Sequence, residues 1–181
     1  MFRYTIIFIL FSLTTFAQQE GLFTQYMFNP SIINPAYVVT KNAPSIYIQQ
    51  RNQWGNLEGS PNTSFFSYQH PSLFQNLGIG INIVSDNIGP VTDFSSSVDF
   101  SSLIRISERW NTSLGIKLAY NVLNVNFDLL NIYNPSDPFF SKNIRNLSSL
   151  NFGFGVFVFS EKTYFGSVSY THLTLPTTPY V

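Results

Sequence analysis

Few side chains in this 181-residue chain have the types and spacing that chemistry requires. Glu58 lies four residues after Trp54 and could serve a binding site, although an acidic loop residue is the simpler interpretation. Asp86 and Asp93 do not have the spacing of a calcium-binding loop. The Gly-Ile-Gly at 78–80 and the Gly-Phe-Gly at 153–155 lack the lysine and following helix of a phosphate loop. These patterns predict no catalytic residues, no cofactor and no metal site.

Histidine and cysteine residues offer equally few candidates for a catalytic or metal site. The chain has two histidines and no cysteine, which excludes disulfides, cysteine-ligated zinc and thiol catalysis. His70 precedes Pro71 in a stretch of turn-forming residues, and no Ser/His/Asp set suggests itself. We therefore expect a protein that is not an enzyme.

The amino-acid composition differs from that of a typical soluble domain. Charged residues make up 10% of the chain with a formal net charge of zero, whereas soluble domains carry about 25% charged residues. Aromatic residues reach 17%, and the polar residues are mostly small and neutral. Nucleic acid is not an expected partner, because no basic stripe exists to neutralise phosphates.

The first seventeen residues predict a secretory signal peptide. Arg3 precedes an apolar run at 4–13, and "TFA" at 15–17 has the small-x-small pattern of a cleavage site. A buried helix or membrane anchor is the alternative, but the run is shorter than the roughly 20 apolar residues of a spanning helix. The mature protein is expected to begin at Gln18, outside the cytoplasm.

Strict alternation of apolar and polar residues dominates the mature chain. In "WNTSLGIKLAYNV" (110–122), Leu114, Ile116 and Leu118 fall on one strand face, and Gly115 and Lys117 fall on the other. Similar patterns predict about seven strands, at 45–54, 62–70, 77–89, 92–107, 110–122, 150–160 and 162–169. Turn residues predict connections at 56–62, 70–76, 85–93 and 129–149, and at the short "SERWN".

Two architectures fit such strands, a soluble sandwich and an antiparallel outer-membrane β-barrel. The barrel is favoured by strands approaching 9–11 residues, by an inward set of Gly, Ser, Asn and Asp, and by aromatics such as Trp110 and Tyr120 at strand ends. Bacterial single-chain barrels have even strand counts of eight or more. Residues 18–167 are therefore expected to be the N-terminal part of a larger all-β barrel domain.

The last fourteen residues, 168–181, differ from the alternating strands before them. "VSYTHLTLPT" (168–177) resembles the translation of a transposase adapter used in sequencing libraries, and its prolines interrupt the preceding strand. We expect this tail, which includes His172, to be non-native. A genuine proline-rich tail is the alternative.

Several motifs in order resemble the PorP/SprF family of type IX secretion system membrane proteins over residues 18–167. The most specific combination is "FTQYMFNPSIINPAY" (23–37) followed by "RNQW" (51–54). The others are "EGSPNTSFFS" (58–67), "LGIGINIVSDNIGP" (77–90), "SLGIKLAYN" (113–121), "DP" (137–138) and "NFGFGVFVFS" (151–160).

The resemblance implies an outer-membrane barrel of Bacteroidota-type bacteria, normally longer than this chain, that takes part in type IX secretion or gliding motility. It implies three kinds of partner: outer-membrane lipid, periplasmic components of the secretion machine, and an exported cargo or adhesin. No catalytic residues come with it. A porin for small solutes and a secreted β-sandwich adhesin or binding module remain the alternatives.

The double Asn-Pro stretch is the candidate site. Pro30 and Pro35 bias the preceding asparagines away from helix, so an ordered but irregular segment is expected. We expect it to plug or brace the periplasmic mouth of the barrel or to dock a periplasmic partner, with simple packing against the first turns as the alternative. The candidate docking residues are Phe23, Tyr26, Phe28, Asn29, Pro30, Asn34 and Pro35.

Overall fold

The computed structural model describes residues 28–74, 76–130, 142–160 and 163–172. Seven antiparallel strands form one sheet in the order of the chain. They are β1 (Ser45–Asn52), β2 (Asn62–Phe74), β3 (Leu77–Ile88), β4 (Val91–Arg105), β5 (Asn111–Val125), β6 (Ile144–Phe159) and β7 (Tyr164–His172). The predicted signal peptide and the tail beyond residue 172 lie outside the described residues.

The two faces of the sheet differ as the alternation predicts. On β5, Ser113, Gly115 and Lys117 are buried, whereas Ile116 between them is 57% exposed. The sheet curls into a half-barrel with the small and polar residues on its concave face and the apolar residues on its convex face. The prediction of a partial antiparallel barrel of about seven strands is confirmed.

Strand length also agrees with a barrel wall. The five inner strands contain 12 to 16 residues each, more than the 9–11 that a tilted strand needs to span a bilayer. In the part of the chain that the structure describes, no helix is long and apolar enough to cross a membrane.

Two predicted turns are present but are shorter than predicted. Residues 70–76 belong mostly to β2, which continues to Phe74 through a register shift between His70 and Phe74. An irregularity of this kind accommodates Pro71, which cannot donate a ladder hydrogen bond. In the stretch 85–93, only Gly89 and Pro90 lie between strands, and Gly89 has the positive φ of 54° that such a tight connection demands.

The connections distinguish the two ends of the sheet. At the proximal end, where β1 begins, the strands are joined by residues 75–76, 106–110 and 160–163. At the distal end they are joined by residues 53–61, 89–90 and 126–143, and the last of these includes a 3₁₀ helix, Phe127–Leu129. The two longest connections, 53–61 and 126–143, are therefore both distal. Outer-membrane barrels likewise have short periplasmic turns and longer extracellular loops.

Residues 28–40, hereafter the Asn-Pro segment, precede β1 and form two short 3₁₀ helices. The first is Pro30–Ile32 and the second is Pro35–Thr40. Both begin at proline, whose fixed φ suits a first helical position. The predicted effect on the preceding residue is confirmed, because Asn29 and Asn34 have non-helical ψ angles of 75° and 107°. The segment is more regular than expected, since each proline starts a helix.

Candidate functional site

The Asn-Pro segment lies across the concave face of the sheet. Its second 3₁₀ helix contacts all five strands from β2 to β6. Asn34 lies against Gly155 on β6, Ala36 against Gly115 on β5, and Val38 against Gly80 on β3. The helix therefore runs perpendicular to the strands. Its six residues extend about 12 Å at the 3₁₀ rise, close to the roughly 14 Å from β6 to β3.

A row of glycines lets the segment approach the sheet this closely. Gly78, Gly115 and Gly155 lie in one cross-strand row in which Ser101 is the remaining member between β3 and β6. A Cβ built on Gly115 would overlap backbone atoms of Pro35 and Ala36, and one on Gly155 would overlap the Asn34 amide oxygen. The segment therefore occupies the space that these glycines leave on the concave face.

Hydrogen bonds fix the second helix to the sheet. Asn34 Oδ1 accepts from the Ala36 backbone N–H at 3.0 Å, which caps the helix, while Asn34 Nδ2 donates to the Val156 carbonyl on β6 at 3.1 Å. Ser113 Oγ on β5 donates to the Ala36 carbonyl at 2.7 Å. One asparagine thus shapes the helix and attaches it to the wall.

A buried ion pair holds the first helix. Lys117 on β5 and Asp99 on β4 are directly opposed, with Nζ and Oδ1 3.7 Å apart. Lys117 Nζ also donates to the carbonyls of Ser31 at 3.3 Å and Ile32 at 2.7 Å. Asn82 Nδ2 donates to Asp99 Oδ2 at 2.7 Å. Lys117 therefore links the Asp99 carboxylate of the wall to the last carbonyl groups of the first helix.

A neutral polar cluster holds the start of the segment. Gln69 Nε2 on β2 donates to Asn29 Oδ1 and to Ser31 Oγ, and Ser31 Oγ donates to Asn29 Oδ1 at 2.7 Å. All three side chains are fully buried or nearly so. Gln69 therefore binds both polar side chains at the start of the segment, while Asn29 Nδ2 is buried without a hydrogen-bond partner among the described residues.

The segment is joined to β1 by Lys41. Partial burial lowers the pKa of its ammonium, and Nζ donates to Ser45 Oγ at 3.0 Å, where β1 begins. Within the described ranges, no three His, Asp or Glu side chains come together as metal ligands.

The predicted docking residues fall into two groups. Asn29, Asn34 and Pro35 are buried against the sheet and Pro30 is half-buried, whereas Phe28 is 63% exposed. Phe23 and Tyr26 lie outside the described residues. Lys117, Asp99, Gln69 and Ser113 were not predicted as site residues. Lys117 and Asp99 could have been noticed as rare charges on inward strand faces.

Comparison with known proteins identifies one family. The family model described as type IX secretion system membrane protein PorP/SprF matches residues 15–180. Neither the curated proteins nor the solved structures provide a match.

Proposed function

Because the chain belongs to the PorP/SprF family of type IX secretion system membrane proteins, we propose that it is a non-enzymatic outer-membrane component of protein secretion. We propose further that it docks exported cargo or an adhesin together with periplasmic parts of the machine, and supports gliding motility where motility depends on secretion. The observation that carries this proposal is a barrel wall whose concave face is covered by a segment of its own chain.

The convex face supports a position in lipid. Large apolar side chains there are open to the surroundings on consecutive strands, with no protein layer over them among the described residues. They include Ile81, Ile83, Phe94, Phe100, Leu114, Ile116, Leu118, Phe152 and Phe154. An apolar band of this width across long antiparallel strands is typical of the lipid-facing side of a barrel.

The alternatives receive less support. A sandwich requires two sheets packed face to face, whereas the described strands form one sheet whose concave face is covered by the Asn-Pro segment. A porin requires an open, charged lumen, whereas five neighbouring strands here are crossed by a neutral segment.

Deleting the gene in a bacterium with type IX secretion tests the proposal. We expect cargo proteins to disappear from the medium or cell surface, as measured by mass spectrometry of the culture fractions. Restoring the full-length gene should restore them, and the protein should fractionate with the outer membrane. An unchanged set of secreted proteins with altered uptake of small solutes would support the porin instead.

We propose that three aromatic side chains, Phe23 and Tyr26 before the segment and Phe28 at its start, dock a periplasmic partner. Phe28 is exposed beside the buried Asn29, so it is available for contact while its neighbour anchors the chain. Replacing Phe23, Tyr26 and Phe28 by serine is expected to reduce secretion strongly without changing the amount of protein in the membrane.

Leu57 provides a matched control, because it is also 63% exposed but lies in the distal 53–61 connection. Leu57→Ser is expected to secrete cargo like the wild type. Docking would be contradicted by a triple variant that is less stable and less abundant in the membrane, if each remaining molecule still supported cargo secretion at the normal rate.

A further inference from the structure

We propose that the Asn-Pro segment is a displaceable plug, which leaves the concave face when the protein takes part in secretion. The inference rests on the proposed function, and it adds a conformational change to it. It is argued from three features of the contact between the segment and the wall: its charges, its anchors and its glycine row.

The first feature is that the charges of the contact belong to the wall alone. Residues 28–40 contain no charged side chain, and Lys117 contacts only backbone carbonyls of the segment in the hydrogen bonds described above. The counter-charge of Lys117 is Asp99 on the neighbouring strand. When the segment leaves, the lysine keeps its carboxylate partner. Departure therefore avoids the large cost of stranding an unpaired buried charge.

The second feature is that the anchors are hydrogen bonds that water can replace. Gln69, Ser113 and Lys117 donate to oxygens of the segment, and Asn34 donates to a carbonyl of β6. In a wet lumen each of these groups can bind water instead, so the net cost of each exchange is small. No disulfide holds the segment to the wall, and its apolar contact is made by Pro35, Ala36, Val38 and Val39 and by Tyr37 against Phe157 on β6.

The third feature is the glycine row, which provides space but no side chain to grip. Gly78 and Gly115 face backbone atoms of the segment, and Gly155 faces the side chains of Asn34 and Pro35. A wall built to hold a segment permanently would gain stability from apolar side chains that interdigitate with it. Here the glycine row contributes no side chains, and hydrogen-bond donors lie beside it, which suits a segment that binds reversibly.

A disulfide between the segment and the wall tests the inference directly. A Cβ built on Gly80 lies 3.0 Å from Val38 Cγ2, which is the position that the sulfur of Val38→Cys would take. A distance of about 3 Å from a Cβ to the opposite sulfur agrees with normal disulfide geometry. Because residues 1–181 contain no cysteine, the Val38→Cys/Gly80→Cys substitutions introduce the only pair of thiols in this part of the protein.

The full-length double variant is expressed in the deletion strain, where the periplasm oxidises the pair. We expect cargo secretion to fall to the level of the deletion strain and to return after treatment of the cells with dithiothreitol. The Val38→Cys single variant serves as the control and should secrete normally in both conditions. If protein shown to be fully cross-linked supported secretion at the wild-type level, the inference would be overturned, because secretion would then not require the segment to move.

A second measurement covers the case in which the double variant folds poorly. Val38 belongs to the segment and is fully buried between it and the wall, so a maleimide present in the periplasm should react with Val38→Cys only after the segment has moved. We expect faster labelling in secreting cells than in cells whose type IX motor has been de-energised. Equal labelling in the two would overturn the inference. If the gene deletion itself leaves secretion unchanged, the proposed function fails, whereas the labelling result still reports on the plug.

Discussion

Replacing Lys117 by methionine is expected to lower the free energy of unfolding by about 3–5 kcal/mol, the usual cost of breaking a buried ion pair from one side. The variant leaves Asp99 fully buried without its counter-charge and removes the donor to Ser31 and Ile32. The measurement is urea unfolding of the full-length protein in lipid vesicles, followed by tryptophan fluorescence.

Two further variants show whether the cost arises from the stranded carboxylate. Arg109→Met removes one positive charge at an exposed position in the 106–110 connection, and should change stability little. Asp99→Asn/Lys117→Met removes both charges, and should recover a large part of the loss because no unpaired charge remains. If the Lys117→Met and Arg109→Met proteins had the same free energy of unfolding, the ion pair would not contribute to stability as expected.

Replacing Gly115 by alanine is expected to cost about 1–3 kcal/mol or more, the range for inserting atoms into a packed interior. The added Cβ would lie 2.6 Å from Ala36 Cα and nearer still to other backbone atoms of the segment. Because backbone atoms cannot rotate away as a side chain can, either the second 3₁₀ helix is displaced or β5 bends. The same urea titration measures the effect.

Gly55→Ala is the matched control for this substitution. A Cβ at Gly55 would meet nothing within 4 Å, and the residue lies in the exposed 53–61 connection. We expect this variant to unfold like the wild type. Indistinguishable unfolding midpoints for the two alanine variants would mean that the segment does not press on the glycine row.

Strand positions and faces could be predicted from the sequence because both depend on local order. Side chains alternate with period two, so the sequence places Lys117 and Gly115 on one strand face and Ile116 on the other. The two turns that were predicted too long show the limit of local signals. Turn-forming residues at 70–76 and 85–93 predicted that the strands end there, but pairing with neighbouring strands extends them further. β2 continues past Pro71 through a register shift, and β3 and β4 are joined by only two residues at Gly89.

The sequence by itself determined an all-β wall with one apolar and one small, polar face, and it marked the double Asn-Pro stretch as distinctive. Only the tertiary structure decided where that stretch lies and which wall residues hold it. Lys117 is 86 residues from Ser31, and Asn34 is 122 residues from Val156, so no local pattern relates them. The physical reason is that curling brings β2 to β6 around a single concave space, and what fills that space depends on shape and hydrogen bonding rather than on periodicity.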